Sequence, residues 1–388
     1  MVSFDNTENA FSGKSNKDLN RSYLLFNMVS RPWMVNFGKV LTEWSLAINL
    51  PIKSAVKATI FKQFCGGENI EECSKTIAEL GHFKIGTILD YSVEGKETDE
   101  DFNSTTRETI ATIARARGEK NIPFSVFKVT GLARLALLEK ISSGEKLSRE
   151  EEVEYAKVHQ RVKNICEAAH HADVPIFIDA EESWIQEAID NLANEMMAKY
   201  NTEKCIVYNT YQLYRHDRLS YLKQSFEQAQ QKKYFLGAKL VRGAYMEKER
   251  KRAAEQGYVS PIHVTKENTD KDYNAALEFC LQNIATISIC AGTHNESSSM
   301  YLTQLMEKHQ IKLNDKHIYF SQLLGMSDHI SFNLSKAGYN VAKYVPYGPV
   351  KEVLPYLIRR AQENTSVKGQ TGRELNLIIK ERQRRSGK

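Results

Sequence analysis

The sequence predicts an α/β protein built as a closed (β/α)8 barrel of the TIM type, and two features lead to that fold. After Leu80, short apolar runs recur eight times along the chain, and the segments between them show helical spacing of apolar residues. Most runs are rich in Ile, Val and Phe without strict alternation, which is typical of parallel strands buried on both faces. An open doubly wound sheet is the alternative, but no G-x-G-x-x-G turn follows the first run.

The predicted elements divide the chain into an N-terminal helical arm, residues 1–80, and a barrel domain, residues 81–388. The first 20 residues are polar and are expected to be frayed, whereas the apolar spacing from Arg21 onward is helical and is interrupted at Gly66-Gly67. Within the barrel, Ser148 and Glu151 have the spacing of a capping box, which predicts the start of a helix. The eight predicted strands are Lys84–Tyr91, Ile122–Val129, Val174–Asp179, Cys205–Tyr211, Phe235–Val241, Ala285–Ala291, His317–Ser321 and Val341–Val345.

The composition is that of a folded globular protein and argues against several classes of function. The formal net charge of +5 is too small to favour nucleic-acid binding. The six cysteines form no C-x-x-C pair and have no zinc spacing with histidine, so we expect free thiols and no metal. No apolar run reaches the roughly 18 residues of a membrane span. We expect a cytoplasmic protein. For the basic segment Lys380–Lys388, the alternatives are a solvated helix end and peripheral attachment to the inner membrane surface.

Each of the eight predicted strands ends at a polar or ionisable group. In barrels of this type the chemistry lies at the C-terminal ends of the strands. Lys128 and Lys239 are the most informative of these groups, because a lysine at the mouth of an apolar barrel is costly unless an anion meets it. The candidate anions are a substrate carboxylate, a cofactor phosphate and the nearby Asp179.

The predicted last helix, residues 350–364, carries polar side chains where an ordinary barrel helix has an apolar stripe. Tyr356, Arg359, Arg360 and Glu363 stand at positions i, i+3, i+4 and i+7, so they share one face. Two adjacent arginines suit bidentate capture of a carboxylate. The alternative is an exposed salt-bridge face. We expect this helix to lie over the barrel mouth.

Six stretches on the strand ends and the last helix resemble the proline dehydrogenase family, in the family's order. The similarity runs from roughly Ile85 to Asn364. The residues of the strand-five and strand-eight motifs are closer to the mitochondrial-type enzymes than to the long bifunctional bacterial ones. A monofunctional form is expected, because no aldehyde dehydrogenase module follows. The stretches are FIDAEESW (Phe177–Trp184), KLVRGAYMEKER (Lys239–Arg250), THNE (Thr293–Glu296), FSQLLGM (Phe320–Met326), KYVPYGP (Lys343–Pro349) and YLIRRAQEN (Tyr356–Asn364).

The resemblance implies FAD-dependent oxidation of L-proline to 1-pyrroline-5-carboxylate, the first step of proline catabolism. A hydride would pass from proline C5 to flavin N5, and the electrons would then pass to a quinone-type acceptor. Lys239 would approach the flavin N5 and O4 edge, where a cation stabilises the reduced ring; many bacterial members have arginine there. The implied cofactor-binding residues are Ala180, Gln212, Lys239, Val241, Arg242, Gly243, Thr293, His294 and Glu363.

The resemblance also implies a substrate site. Asp179 would lie beside the substrate, orient the cations and act with Lys239 as a catalytic residue. Glu94 would be an acidic partner of those cations. The remaining implied residues are Lys128, Arg359 and Arg360 for the proline carboxylate, and Tyr245, Leu323, Tyr344 and Tyr356 for the walls around the ring.

Three other functions stay open at this point. A hydroxyproline dehydrogenase is the nearest, although in that branch the residue at the position of Tyr344 is smaller. A Schiff-base lyase using Lys128 or Lys239 is a second enzyme class, but that chemistry does not require the paired arginines. A nucleic-acid-binding module acting through Lys380–Lys388 is the non-enzymatic alternative, and no helix-turn-helix or ribbon motif precedes the barrel.

Overall fold

The eight predicted strands all form, and they close into a parallel barrel in chain order. The computed structural model describes residues 2–29, 57–93, 97–357 and 370–387. Every strand bound lies within about two residues of its predicted position, which is the ordinary uncertainty of such boundaries. The strands are β1 (Ile85–Tyr91), β2 (Phe124–Lys128), β3 (Ile176–Asp179), β4 (Val207–Gln212), β5 (Leu236–Val241), β6 (Ile287–Gly292), β7 (Ile318–Leu323) and β8 (Val341–Tyr347).

Helices separate the strands, as the predicted alternation requires. The capping box at Ser148 and Glu151 is confirmed. The Ser148 side chain accepts from the Glu151 backbone amide, and the Glu151 side chain accepts from the Ser148 backbone amide. The helices are α1 (Thr7–Ala10), α2 (Asn16–Val29), α3 (Lys62–Phe64), α4 (Ser74–His82), α5 (Asp99–Ala116), α6 (Leu135–Ser142), α7 (Arg149–Ala172), α8 (Ser183–Tyr200), α9 (Arg218–Lys232), α10 (Met246–Gln256), α11 (Lys266–Gln282), α12 (Glu296–Lys308), α13 (Asp328–Lys336), α14 (350–357) and α15 (Gln370–Arg385).

The chain divides into two compact units. One comprises Met1–Glu94 with Gln322–Lys388, and the other comprises Gly95–Ser321. The first unit therefore combines the N-terminal helices with β1, β8 and the C-terminal helices, and the second carries β2 to β6 and most of β7. We describe each unit separately below.

Aromatic side chains pack together on the strands of the second unit, Gly95–Ser321, which we call the central unit. Phe124 stacks on Phe177 with ring centroids 4.5 Å apart, and Phe177 meets Tyr208 edge-on at 5.4 Å. Phe124 also meets Tyr319 at 4.8 Å. Because β2 and β7 are not neighbours in the sheet, this last contact crosses the barrel interior. The interior is therefore a packed core, which supports the strand ends above it.

The expectation that the first 20 residues are frayed is wrong. They form α1 and the start of α2, and Ala10, Phe11 and Leu19 are buried with Leu377 and Ile378 of α15. The few apolar residues of this polar segment pack against the opposite end of the chain, so their burial could not be seen in the local pattern.

The segment that follows bears out the break at Gly66-Gly67, which separates α3 from α4. The Gly66 amide donates to the Pro346 carbonyl at 2.9 Å, and a Cβ at Gly66 would lie 2.5 Å from Val345. A larger residue at this position would therefore have to displace the Val345 side chain of β8.

The basic C-terminal segment forms the end of α15 and contacts the N-terminal helices. Arg384 and Arg385 bind the fully buried carboxylate of Glu381 at 2.9 and 2.7 Å. Arg385 also donates to the carbonyls of Phe11 and Lys14. These arginines are therefore engaged within their own unit. None of the helices in the described ranges combines the length and hydropathy that crossing a membrane requires.

Candidate active site

Three ionisable residues lie at the C-terminal ends of β2, β3 and β5. Lys128 ends β2 and Asp179 ends β3, and the two are paired neighbours in the strand register. Strand β4 lies between β3 and β5. Its Asn209 pairs with Ile178 of β3, and its next residue, Thr210, pairs with Lys239 of β5. The register therefore brings the predicted residues Lys128, Asp179 and Lys239 to one end of adjoining strands, as their sequence positions predicted.

Asp179 and Lys239 form a buried ion pair. The Lys239 Nζ donates to Asp179 Oδ1 at 2.5 Å, and the two side chains are only 7% and 13% exposed. The ammonium also lies 5.4 Å from the centroid of the Phe177 ring. Since a lone buried charge is costly, each group offsets the cost of burying the other. The anion that the sequence required for Lys239 is, in the described structure, Asp179.

The loop after β3 is held by buried amides. The side-chain amide of Gln212 donates to the backbone carbonyl of Glu181 at 2.6 Å. The backbone amide of Glu181 donates to Gln186 Oε1 at 2.9 Å. The Gln186 side chain in turn donates to Asp190 at 3.0 Å. Asp190 forms an ion pair with Arg218 at 2.7 Å, and both of these side chains are buried. The predicted cofactor-binding residue Gln212 thus belongs to a polar chain that fixes the backbone directly after Asp179.

Glu181 was not predicted as a site residue, yet it links β3 to the turn after β2. It is 3% exposed, and its carboxylate accepts from the Thr130 amide at 3.0 Å and from the Thr130 hydroxyl. Burial raises the pKa of Glu181 to about 7, while the Thr130 hydrogen bonds and the charge of Lys128 act in the opposite direction. Thr130 lies two residues after Lys128, so Glu181 restrains the backbone that presents this lysine. The adjacent acids in FIDAEESW were the available signal.

Arg242 and Thr293 are brought together at the ends of β5 and β6. The Arg242 guanidinium donates to Thr293 Oγ1 at 2.6 Å, to Asp270 at 2.8 Å and to Ser298 at 2.9 Å. It also lies 4.4 Å from the centroid of the Tyr273 ring. Both predicted cofactor-binding residues are therefore fixed by short hydrogen bonds, and the arginine presents a partly exposed positive charge.

Gly243 follows Arg242 and has a backbone φ of +136°, where a side chain is strained. A Cβ there would come within 2.4 Å of the Tyr214 ring. The preceding Val241 pairs with Gln212 in the strand register. Val241 and Gly243 are both predicted cofactor-binding residues. The turn after Val241 is therefore close-packed and accepts only glycine at position 243.

Other predicted residues of the central unit lie at the same strand ends. Ala180 follows Asp179 directly and is half-buried, as is His294 after β6. Tyr245 is half-buried and precedes α10. Their positions agree with the predicted strand ends, while their roles remain predictions.

The remaining predicted residues belong to the other unit or lie outside the described residues. Tyr356 is buried and Leu323 partly buried in one apolar cluster with Met326 and Val353. Tyr344 of β8 is 6% exposed. The four predicted residues outside the described ranges are Glu94, Arg359, Arg360 and Glu363.

The predicted free thiols are confirmed. All six cysteines are unpaired by disulfides and buried. Burial raises the pKa of Cys290 to about 11, partly offset by its bond to Ser321 and by the charge of Lys239. The Cys290 thiol is therefore protonated at neutral pH.

The closed barrel carries a buried Asp–Lys pair and several hydrogen-bond donors at its C-terminal strand ends, which is where barrel enzymes place their chemistry. The family model described as "Proline dehydrogenase" matches residues 73–373. This chain belongs to the proline dehydrogenase family. The family and fold predicted from the sequence are confirmed.

Individual relatives support the same assignment. The chain is 34% identical to "Proline dehydrogenase 1, mitochondrial" of Dictyostelium discoideum, over 98% of this chain and 74% of that protein. It is 42% identical to the human protein of that name, over 62% of this chain and 40% of that one. Several relatives thus carry mitochondrial names, and the location predicted for this chain stays a prediction.

The fold has a close match among solved structures. Proline utilization A from Bdellovibrio bacteriovorus, inactivated by N-propargylglycine, superposes with a TM-score of 0.74 at 20% identity, over 92% of this chain and 38% of that one. At this identity the match supports the barrel fold, and the chain spans well under half of that larger protein.

Proposed function

We propose that this chain oxidises L-proline to 1-pyrroline-5-carboxylate with FAD and passes the electrons to a quinone-type acceptor. The observation that carries the proposal is the family match over residues 73–373, together with a buried Asp179–Lys239 pair at the strand ends where the family's motifs lie. Proline loses one hydride from C5 and one proton from nitrogen, and a C5=N double bond forms.

The residues at the ends of β4, β5 and β6 fit FAD by their chemistry. Lys239 and Gln212 are buried donors, which suit the carbonyl and ring-nitrogen acceptors of an isoalloxazine edge. Arg242, whose side chain is 20% exposed, is a cation that suits a pyrophosphate. Bound FAD would supply the redox chemistry by accepting the hydride at N5.

Lys239 supplies positive charge at a buried position, where electrostatic stabilisation of developing negative charge is strong. Asp179 balances that charge in the resting protein and holds the ammonium in one place, so little reorganisation is needed during the reaction. We further propose that Lys128, Arg359 and Arg360 bind the proline carboxylate and that Tyr245, Leu323, Tyr344 and Tyr356 exclude water. Solvent is the proposed acceptor of the proton from the amine.

The direct test is a proline-dependent dye-reduction assay on the purified protein, with an absorbance scan of its bound cofactor. We expect a yellow protein that reduces the dye with proline and much less with 4-hydroxyproline. A colourless protein that takes up no FAD would contradict the proposal. That result is the one expected of a Schiff-base lyase, which needs no flavin. Equal or greater turnover of 4-hydroxyproline would instead support a hydroxyproline dehydrogenase.

The carboxylate assignment is tested by Arg359→Met and Arg360→Met. Each variant should raise the proline KM by roughly tenfold to a hundredfold while FAD stays bound, because a charge-assisted hydrogen bond is worth about 1.5–3 kcal/mol. Arg382→Met is the matched control, since Arg382 of α15 contacts Asn20 and Tyr23 at the surface. An unchanged KM in both variants would remove the paired arginines from the proposed site.

A further inference from the structure

The first turn of α8 has no capping side chain of its own. Helix α8 begins at Ser183, four residues after Asp179, and its N-cap residue Glu182 makes no side-chain capping hydrogen bond. The cap comes instead from Glu249 of α10. The Ser183 amide donates to Glu249 Oε1 at 2.6 Å, and the Ser183 hydroxyl donates to Oε2 at 2.6 Å. Both carboxylate oxygens are therefore used at the start of another helix.

Glu249 is fully buried, so its charge must be balanced locally. A buried carboxylate is costly unless hydrogen bonds and favourable charge offset the lost solvation. Here two short hydrogen bonds and the positive end of the α8 dipole supply that balance. Removing the carboxylate would leave the Ser183 donors without this acceptor inside the protein.

Further contacts join α10 to the α8 side of the unit. Lys248 pairs with Glu182, and Arg252 pairs with Glu139 of α6. The Arg252 guanidinium also lies 4.5 Å from the Trp184 ring. Glu249 is the buried centre of this junction, whereas at its edge Lys248 is exposed and Arg252 is partly exposed.

The junction lies directly beyond the proposed catalytic pair. Helix α8 follows the strand that carries Asp179, and α10 follows the strand that carries Lys239, with β4 between them in the sheet. The ion pair links these strands at 2.5 Å, and the Glu249–Ser183 contact links the helices that follow them. Tyr245 precedes α10 directly, so the same junction restrains a proposed wall of the substrate site.

We infer that Glu249 is a positioning residue, which fixes the Asp179–Lys239 pair and Tyr245 by capping α8 from α10. This role rests on the proposed function. Glu249 touches neither of the paired groups in the described contacts and acts through the helices. It stands in the quoted motif KLVRGAYMEKER, but nothing in the sequence connects it with the start of α8.

The test compares Glu249→Ala, Glu249→Gln and Ser183→Ala. In Glu249→Ala both acceptors are lost, and flavin reduction at saturating proline should slow by roughly tenfold or more, because a displacement of about 1 Å can cost on the order of a hundredfold. Glu249→Gln keeps one acceptor oxygen and should recover part of the rate. Ser183→Ala removes only the hydroxyl donor and should give a smaller loss in the same direction.

The readouts separate positioning from general stability. Stopped-flow reduction and the absorbance maximum of the bound flavin should both shift in Glu249→Ala, with the main loss in kcat. Glu255→Ala is the matched control, because Glu255 lies on the same helix and is 60% exposed in a weak pair with Lys251. Its kcat should stay within about twofold of wild type.

Wild-type protein without FAD or proline turnover would refute the proposed function itself. An active wild type, with FAD-loaded Glu249 variants that keep the wild-type reduction rate and flavin spectrum, would overturn only the positioning role. If Glu249→Ala does not fold, Glu249→Gln and Ser183→Ala decide the matter by the same two readouts.

Discussion

Two buried lysines on barrel strands, Lys239 of β5 and Lys343 of β8, differ in what surrounds their ammonium groups. Lys239 lies against the Phe177 ring and pairs with Asp179 at the strand end. Lys343 is entirely buried, and its Nζ donates to the Met326 carbonyl at 2.6 Å, to Asp328 at 2.7 Å and to the Leu323 carbonyl at 3.3 Å.

Three acceptors match the three N–H groups of an ammonium, so the described contacts account for all the donors of Lys343. All of its acceptors lie on the segment between β7 and the first residue of α13. Lys343 therefore acts as a structural tie for that segment. Depth of burial alone does not mark a functional lysine, because the fully buried Lys343 ammonium is occupied by protein acceptors.

The largest effect that tests this difference between the two lysines is expected at Lys239. Lys239→Met should lower the rate of flavin reduction by proline by about 100-fold to 1000-fold, the usual effect of removing one electrostatic stabiliser of the transition state. Lys239→Arg, which restores a cation, should recover much of that rate. Stopped-flow reduction of FAD-loaded protein measures both. A Lys239→Met rate within threefold of wild type would show that this lysine is as structural as Lys343.

Lys343→Met should act mainly on stability. The variant leaves Asp328 buried with Lys14, at 3.2 Å, as its remaining cationic partner among the described residues. Breaking a buried pair in this way costs about 3–5 kcal/mol. Urea unfolding should reveal this loss, whereas kcat of the folded, FAD-loaded protein should change by only a few-fold. A large loss of kcat without a loss of stability would reverse the assignment.

A smaller effect is expected from acid. Burial opposes ionisation of Asp328, but the charges of Lys343 and Lys14 prevail and hold its pKa at about 2, below the ordinary 3.8. The stabilisation is therefore complete above pH 4 and is lost as the pH falls through 2. The difference corresponds to about 2 kcal/mol. Urea unfolding of wild type and Asp328→Asn should converge by that amount between pH 5 and pH 2, and parallel curves would contradict the pairing.

Much of the fold could be predicted because strand burial leaves a local trace. Runs such as the one ending at Asp179 are apolar on both faces, and the capping box at Ser148 is complete within four residues. The strand ends then followed from barrel geometry, which places Lys128, Asp179 and Lys239 on one rim before any contact is known.

The partners of those residues could not be predicted in the same way. Glu181 meets Thr130 across 51 positions of sequence, and Glu249 meets Ser183 across 66. No periodic pattern encodes such pairs, because each partner is an ordinary polar residue in its own segment. The fully buried Lys343 was likewise hidden inside a recognised motif.

The sequence by itself determined the order of strands and helices, the family, and which strand ends carry ionisable groups. Only the tertiary structure decided that the polar N-terminal segment packs on α15, that Lys343 is structural, and that Glu249 caps a distant helix. The reason is physical: periodicity reports which face of a segment is apolar, whereas the pairing of buried charges depends on which distant segments that face meets.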